Sequence, residues 1–240
     1  MGETDPISAV VVLSGGMDST TALYKAHVDG FDNIYAISFN YGQRHKVELE
    51  HAKEITDKAD FVKDHKIVDL SSITSLIDNS SLTGEEVVPE GHYAAENMKS
   101  TVVPNRNMIM YSIAIGYAIN VNARAIYAGI HAGDHPIYPD CRPAFASGLQ
   151  DLARVANEGY IHSNFLVMAP FVNIGKHNIV EIGSKLNVPY ELTWSCYKGG
   201  DKHCGRCGTC VERKEAFRLA GVDDPTEYID PISDLEIAKE

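Results

Sequence analysis

The sequence predicts an α/β fold: a doubly wound, mostly parallel sheet with a metal-binding segment appended at its C-terminal end. Three observations predict it. Short apolar runs rich in β-branched residues alternate with stretches of helical apolar period, the pattern of a parallel sheet covered on both faces. The first such run, Val10 to Leu13, breaks at Ser14-Gly15-Gly16 and a helix follows at once, so a glycine loop sits at a strand's carboxyl end. Four cysteines crowd between Cys196 and Cys210 with the spacing C-x7-C-x2-C-x2-C.

At 240 residues the chain is expected to be a single domain, with residues 1–190 as the α/β core and 191–240 as the cysteine segment and a C-terminal helix. Hydrophobic residues make up 44%, enough for a substantial core. The formal charge of −12 argues against direct nucleic-acid binding, because phosphate backbones demand basic surface. No apolar run approaches the ~20 residues of a membrane span, and no charged-then-apolar leader opens the chain. Clustered cysteines suit a metal site in a reducing compartment, so a cytoplasmic location is expected.

The elements follow in order. After the first strand, Ala22, Leu23 and Ala26 give a helix its apolar face. Ile34 to Phe39 reads as a second strand, and 44–59 as a helix with Val47, Ala52, Ile55 and Ala59 inward. His65 to Leu70 reads as a third strand. Residues 71–100 lack a steady period and contain Asn79-Ser80-Ser81, so a surface excursion is expected, with a short helix near 72–77, placed to act as a lid. A helix over 107–121 should bury Met108, Ile109, Ile113, Ala114, Tyr117 and Ala118. Ala125 to Ile130 reads as a strand, 143–157 as a helix, Phe165 to Met168 as a short strand, Gly175 to Leu186 as a helix, and 207–220 as a last helix.

The loop Leu13-Ser14-Gly15-Gly16-Met17-Asp18-Ser19-Thr20 has the composition of a phosphate site. Glycines let backbone N–H groups approach an anion, and the following helix N-terminus favours negative charge. It matches neither the G-x-x-x-x-G-K-[ST] phosphate loop nor the dinucleotide G-x-G-x-x-G. Asp18 among phosphates suggests a Mg²⁺ ligand. Cys196, Cys204, Cys207 and Cys210 can close a tetrahedral Zn²⁺ site, with glycines after Cys204 and Cys207 allowing tight turns. An iron–sulfur cluster is the competitor, but the ferredoxin continuation x3-C-P is missing after Cys210. A closed site of this kind is structural. Cys141 is not assigned to it.

Three further loops carry polar chemistry. Tyr41, Gln43, Arg44 and His45 fall in one short loop and suit a heterocycle. Arg106 and Lys176, each at a predicted helix start, can meet phosphates. Between Gly129 and Pro143 lie His131, Asp134, His135, Asp140 and Arg142. His131, Asp134 and His135 lack a convincing metal spacing. Asp140 can accept from a guanine-like edge, and Arg142 can pair a carboxylate bidentately.

The Ser14–Asp18 loop resembles that of the PP-loop ATP pyrophosphatases. With Phe39-Asn40-Tyr41-Gly42-Gln43-Arg44-His45, Pro104-Asn105-Arg106-Asn107, Tyr138-Pro139-Asp140-Cys141-Arg142-Pro143, Leu192-Thr193-Trp194-Ser195-Cys196-Tyr197 and the cysteine trio, the chain resembles the 7-cyano-7-deazaguanine synthases of that superfamily. Ala144 and Asn178 stand where that family usually has acidic residues. The resemblance implies an adenine nucleotide α-hydrolase-like fold and an ATP-dependent ligase. Its substrates would be 7-carboxy-7-deazaguanine and ammonia, its product the nitrile, formed through adenylated carboxylate and amide. It also implies Mg²⁺, Zn²⁺ and a homodimer. Asp18, Arg106 and Lys176 would then serve catalysis. Leu13, Ser14, Gly15, Gly16, Met17, Asp18, Ser19 and Thr20 would hold ATP. Tyr41, Gln43, Arg44, His45, His131, Asp134, Asp140 and Arg142 would hold the deazaguanine. Competing readings are a variant that stops at the amide, a PP-loop tRNA-modifying enzyme, and a zinc-ribbon interaction module on a nucleotide-sensing domain.

Overall fold

The computed structural model describes residues 6–77, 80–83, 87–93 and 96–232. Five strands form one sheet: β1 (Ser8–Val12), β2 (Asn33–Asn40), β3 (Val62–Asp69), β4 (Ala125–Tyr127) and β5 (Leu166–Met168). The helices are α1 (Met17–Val28), α2 (Val47–Lys58), α3 (Arg106–Asn120), α4 (Pro143–Ala156), α5 (Lys176–Lys185) and α6 (Gly208–Ala220). Every strand pair is parallel, and the spatial order is β3-β2-β1-β4-β5. The expected α/β sheet is therefore present.

Alternation along the strands sets the two layers. Val10, Ile37 and Ile126 point to one face, where Met110, Ala114 and Ala118 of α3 and Leu149 of α4 cover them. Ala9, Val11, Ala36 and Tyr127 point to the other, under Leu23 and Ala26 of α1 and Ala52 and Ile55 of α2. The central strand β1 is buried on both faces, which explains its unbroken apolar run. The edge strand β3 begins earlier than its apolar residues suggest, at Val62. Its exposed Lys63 and Lys66 discourage pairing with another chain.

Two further elements depart from the sequence reading. β4 ends at Tyr127, not Ile130, because the backbone then turns to touch α1: a Cβ on Gly129 would lie 2.8 Å from the Ser19 nitrogen. The buried face of α3 is Met110, Tyr111, Ala114, Ile115 and Ala118, so Met108, Ile109, Ile113 and Tyr117 sit at its margins. In the described parts of 71–100, the short helix expected near 72–77 is present as a 3-10 turn at Ser71–Leu76, and a second spans Glu96–Thr101. They are anchored: Leu82, Val88 and Met98 are buried, and Glu90 bridges to Cys207. Asn79 lies outside the described residues. Among the described residues no helix is long and apolar enough to cross a membrane.

The connection order reverses between β1 and β4, whose neighbours run outward in opposite directions. The crevice outside the carboxyl ends of those two strands is where such sheets bind ligands. The loops after β1, β2 and β4 converge there.

Candidate active site

The loop after β1 is organised by its own hydroxyls. The Ser14 amide donates to Ser19 Oγ at 3.1 Å, and the Gly16 amide donates to Ser14 Oγ at 3.2 Å. Gly15 has φ +88°, and a Cβ there would stand 2.2 Å from the Glu48 carbonyl oxygen, so only glycine lets this loop rest on α2. The Trp194 amide donates to the Gly15 carbonyl at 2.9 Å, which joins the cysteine segment to the loop. Thr20 is fully buried and its hydroxyl donates to Gly16 O at 2.8 Å. It shapes the helix start and does not face the cleft.

Beside the loop lies a cluster of charge. Lys176 Nζ is 2.6 Å from Glu212 Oε2 and 3.2 Å from Asp18 Oδ2. His131 Nε2 lies 3.4 Å from Asp134 Oδ2, 3.7 Å from Asp18 Oδ2 and 3.8 Å from Glu212 Oε1. The His131 ring is fixed by the Gly133 amide, which donates to Nδ1 at 3.1 Å. Burial alone would lower the Lys176 pKa, but Asp18, Glu212 and Asp134 outweigh it and hold the amine protonated. Burial raises the Asp134 pKa, opposed by His131 and reinforced by Glu212 and Asp18. Three carboxylates against one ammonium leave the site negative overall.

That cluster fits a divalent cation. Ligand atoms of His131, Asp134 and Glu212 all lie within 4.8 Å of one another, and Asp18 Oδ1 is buried without a partner. Oxygen-rich, negative surroundings are what a hard cation requires. His131 and Asp134 thus join a possible metal set that their spacing did not reveal. Its missing member was Glu212, supplied from α6. His135 is not in it.

The cleft has two joined lobes. Ser14, Gly16, Asp18, His45, Glu48, Asp134 and Tyr197 line both and so mark the junction. The first lobe adds Tyr93, Met98, His131, Tyr138, Lys176 and Glu212. The second is more apolar, walled by Val12, Leu13, Phe39, Met110, Tyr111 and Ile130, with Tyr41 and Arg106. Arg106 donates to the Tyr41 hydroxyl at 3.2 Å and stands over its ring. Burial pushes the Tyr41 hydroxyl pKa up to about 12 although Arg106 opposes it.

The structure thus brings together Ser14, Gly16, Met17, Asp18, Ser19, Tyr41, His45, Arg106, His131, Asp134 and Lys176. Gln43, Arg44, Asp140 and Arg142 do not line the cleft. Gln43 is buried and spends its amide on the loop itself, accepting from Tyr41 N at 2.8 Å and donating to Phe39 O and Glu48 Oε1, each at 3.0 Å. Arg44 is exposed. Arg142 is exposed and its Nε donates to His135 O at 2.9 Å, because Pro143 starts α4 and turns the side chain outward. The guanidinium that lines the cleft is that of Arg106, which is half-buried.

The four cysteines meet as their spacing demands. The Sγ separations are 3.9 Å for Cys204–Cys210, 4.0 Å for Cys196–Cys207 and 3.5 Å for Cys207–Cys210. Tetrahedral zinc with Zn–S near 2.3 Å requires edges of about 3.8 Å. The Cys204 amide points at Cys196 Sγ, and the Arg206 and Cys207 amides point at Cys204 Sγ, at 3.3 to 3.4 Å. Gly205, at φ +85°, permits that turn. The donors fit a closed thiolate metal site.

The model of the family described as "Queuosine biosynthesis protein QueC" matches residues 8–221. The chain belongs to the QueC family. A "7-cyano-7-deazaguanine synthase 2" from Colwellia psychrerythraea is 50% identical over 222 residues, covering 91% of this chain and 97% of the relative. A "7-cyano-7-deazaguanine synthase" from Caldicellulosiruptor saccharolyticus is 51% identical over 220 residues, covering 92% and 95%. Likeness to solved structures is distant: an NH3-dependent NAD synthetase from Campylobacter jejuni aligns over 92% of this chain and 76% of its own, with TM-score 0.45 and 14% identity.

Against this QueC background the two unusual positions are peripheral. Ala144 is exposed at the start of α4 and Asn178 is half-buried on α5, and neither lines the cleft. Sequence reasoning missed Glu48 and Glu212 because acidic residues near helix starts normally face solvent. Both are buried here. The signal for Glu212 was present: Glu212-Arg213 follows Val211 on the inward face of a helix anchored by Cys207 and Cys210. Arg213 is fully buried and donates to Thr193 Oγ1 and Ser195 Oγ, holding the loop that touches Gly15.

Proposed function

We propose that this QueC-family chain is an ATP-dependent ligase that converts 7-carboxy-7-deazaguanine and ammonia to the nitrile 7-cyano-7-deazaguanine, through an adenylated carboxylate and then an adenylated amide. One observation carries the reading. A glycine-serine loop at the β1–β4 switch point opens directly onto a carboxylate–lysine cluster and a two-lobed cleft.

The residues divide the work as follows. The amides and hydroxyls of Ser14 to Ser19 receive the triphosphate of ATP, with Leu13 beneath it. Lys176 neutralises charge on the transferring phosphates, and Arg106 steadies the acyl group or α-phosphate from the second lobe. Asp18, Asp134, Glu212 and His131 would hold Mg²⁺, which supplies Lewis-acid neutralisation of pyrophosphate as it leaves. Tyr41, Tyr138 and Tyr197 offer faces and hydroxyls to the deazaguanine. Zn²⁺ on the four cysteines is structural, and residues 191–240 are a segment of the same domain.

Ala144 and Asn178 both lie outside the cleft lining, which favours the nitrile over a product stopped at the amide. The partners are small molecules, the location is cytoplasmic, and a second copy covers the exposed Leu152 and Val155 of α4, forming a homodimer. The test is incubation with 7-carboxy-7-deazaguanine, ATP, Mg²⁺ and ammonium, with products weighed by mass spectrometry. A nitrile with AMP and pyrophosphate is expected. The amide alone, or no acid-dependent AMP, refutes the reading.

A further inference from the structure

We propose that His45 is the proton acceptor for the nitrogen that this reaction carries from amide to nitrile, and that Glu48 is its positioning residue. The inference rests on the reaction proposed above and names a role within it. His45 is 4% exposed and Glu48 9%, yet both line both lobes of the cleft. They stand where a group activated by nucleotide in one lobe must meet a ring held in the other. His45 Nε2 lies 3.4 Å from Glu48 Oε2. Its other nitrogen, Nδ1, is buried and has no partner. A buried imidazole nitrogen left unpaired costs free energy, so its persistence beside an open cleft points to a ligand that pairs with it.

The rest of the dyad is fixed from several sides. Gln43 Nε2 donates to Glu48 Oε1 at 3.0 Å, which leaves Oε2 for the imidazole. Tyr197 packs against the His45 ring at a centroid distance of 5.4 Å, and the Gly15 turn rests on the Glu48 carbonyl. The charged and titratable groups facing the pair are Arg106 from α3, Tyr41 from the loop after β2 and Tyr197 from the cysteine segment.

The chemistry needs such a group. Once the amide oxygen has attacked the α-phosphate and pyrophosphate has left, the nitrogen still carries two protons. One leaves to give the neutral O-adenylated imidate. The second leaves as the C–O bond breaks: the N–H electron pair becomes the last C–N bond, and AMP departs with the C–O electrons. In each case the proton passes to His45 Nδ1 while the proton on Nε2 moves to Glu48 Oε2. The pair then returns it to solvent. Burial, opposed by Gln43 and Arg106, pushes the Glu48 carboxyl up to about 8, while burial and Arg106 push the imidazole down to about 3. The basicity of the pair therefore resides on Glu48 and its access on His45.

The test uses the full chain with His45→Asn, which keeps a polar atom near Nδ1, and with Glu48→Gln and Glu48→Asp. Two activities are compared. The first is ATP–pyrophosphate exchange dependent on 7-carboxy-7-deazaguanine without ammonia; the second is conversion of 7-amido-7-deazaguanine and ATP to the nitrile. For the parent protein, kcat/KM for nitrile formation should rise with pH through a midpoint near 8. His45→Asn and Glu48→Gln should lose nitrile formation by at least about a hundredfold more than exchange. Both should lack the rising limb, and Glu48→Asp should recover it. An equal fall in both activities, no fall, or a rising limb kept in Glu48→Gln overturns the assignment. Absence of exchange in the parent protein instead refutes the proposed reaction, and this role with it.

Discussion

Replacing Lys176 with methionine should destabilise the protein in a way that magnesium or acid repairs. Lys176 Nζ sits between Asp18 and Glu212, with Asp134 close behind, and its side chain is 12% exposed. Methionine fills similar volume but leaves the carboxylates facing one another. Removing one member of a buried ion pair costs about 3–5 kcal/mol. For a chain of this size each kcal/mol moves the melting temperature by roughly 2–4 °C, so a drop of about 6–20 °C is expected in EDTA at pH 7.5. Without the lysine, which opposes the effect of burial on Asp134, the Asp134 carboxyl rises further above its unfolded value. A group raised in the folded state binds its proton more tightly there, so the penalty appears as pH rises and shrinks as pH falls. Differential scanning fluorimetry of parent and variant, at pH 5.5 and 7.5, with and without millimolar Mg²⁺, reads all of this. The variant should gain more from Mg²⁺ than the parent does, while losing turnover. A drop below about 2 °C, or one indifferent to both pH and divalent cation, would show that Lys176 is an ordinary surface cation and that the cluster is not a cation site.

Gly15→Ala should cost at least about 2 kcal/mol, combining a left-handed backbone with a contact against the Glu48 carbonyl, and should abolish nucleotide binding by calorimetry. Elemental analysis of the purified chain should give one zinc per molecule. Cys210→Ala should lose that zinc and also activity, because Glu212 lies two residues further along the same helix. Glu48→Gln should change the pH dependence of stability. The Glu48 carboxyl titrates near 4.5 unfolded and about 8 folded, so the parent loses stability relative to the variant as pH rises between those values. Denaturant melts at pH 5 and 7.5 should differ between the two proteins by on the order of 3 kcal/mol. His45, pushed down to about 3, works in the opposite sense below 6.5, but it is common to both chains and cancels.

Much of this was legible where local chemistry dictates geometry. Val10 to Leu13 followed by two glycines and a run of hydroxyls has few structural solutions, and the one found is a strand, a tight turn and a helix start. The thiolate spacing of Cys196, Cys204, Cys207 and Cys210 likewise implied the tetrahedron before any fold was known. What stayed hidden depended on which helix lies beside which. Glu212 is distant in sequence from Asp18, and nothing local says that α6 packs against α5 and Lys176. Arg106 and Arg142 are equivalent as residue types. One became the guanidinium that lines the cleft and the other a surface hydrogen-bond donor, because α3 points its first residue at the loop after β2 whereas Pro143 turns Arg142 away. Gln43 was read as a ligand for a base, yet the tight turn around Gly42 consumed its amide.

The same packing links the four-cysteine cluster to the cleft. α6 starts at the thiolate cluster, with Cys207 as its cap and Cys210 in its first turn. Two residues on, Glu212 enters the carboxylate cluster, and next to it Arg213 ties down Thr193 and Ser195, whose neighbour Trp194 holds the Gly15 carbonyl. The cysteine cluster therefore adjoins both the Lys176–Glu212 cluster and the back of the Ser14–Gly16 loop through one short helix. A helix of 13 residues has little stability alone in water. With Zn²⁺ on the four cysteines, as proposed above, its first turn would be anchored and that weak element would become a rigid arm, which is the service a site without an open coordination position can render to catalysis.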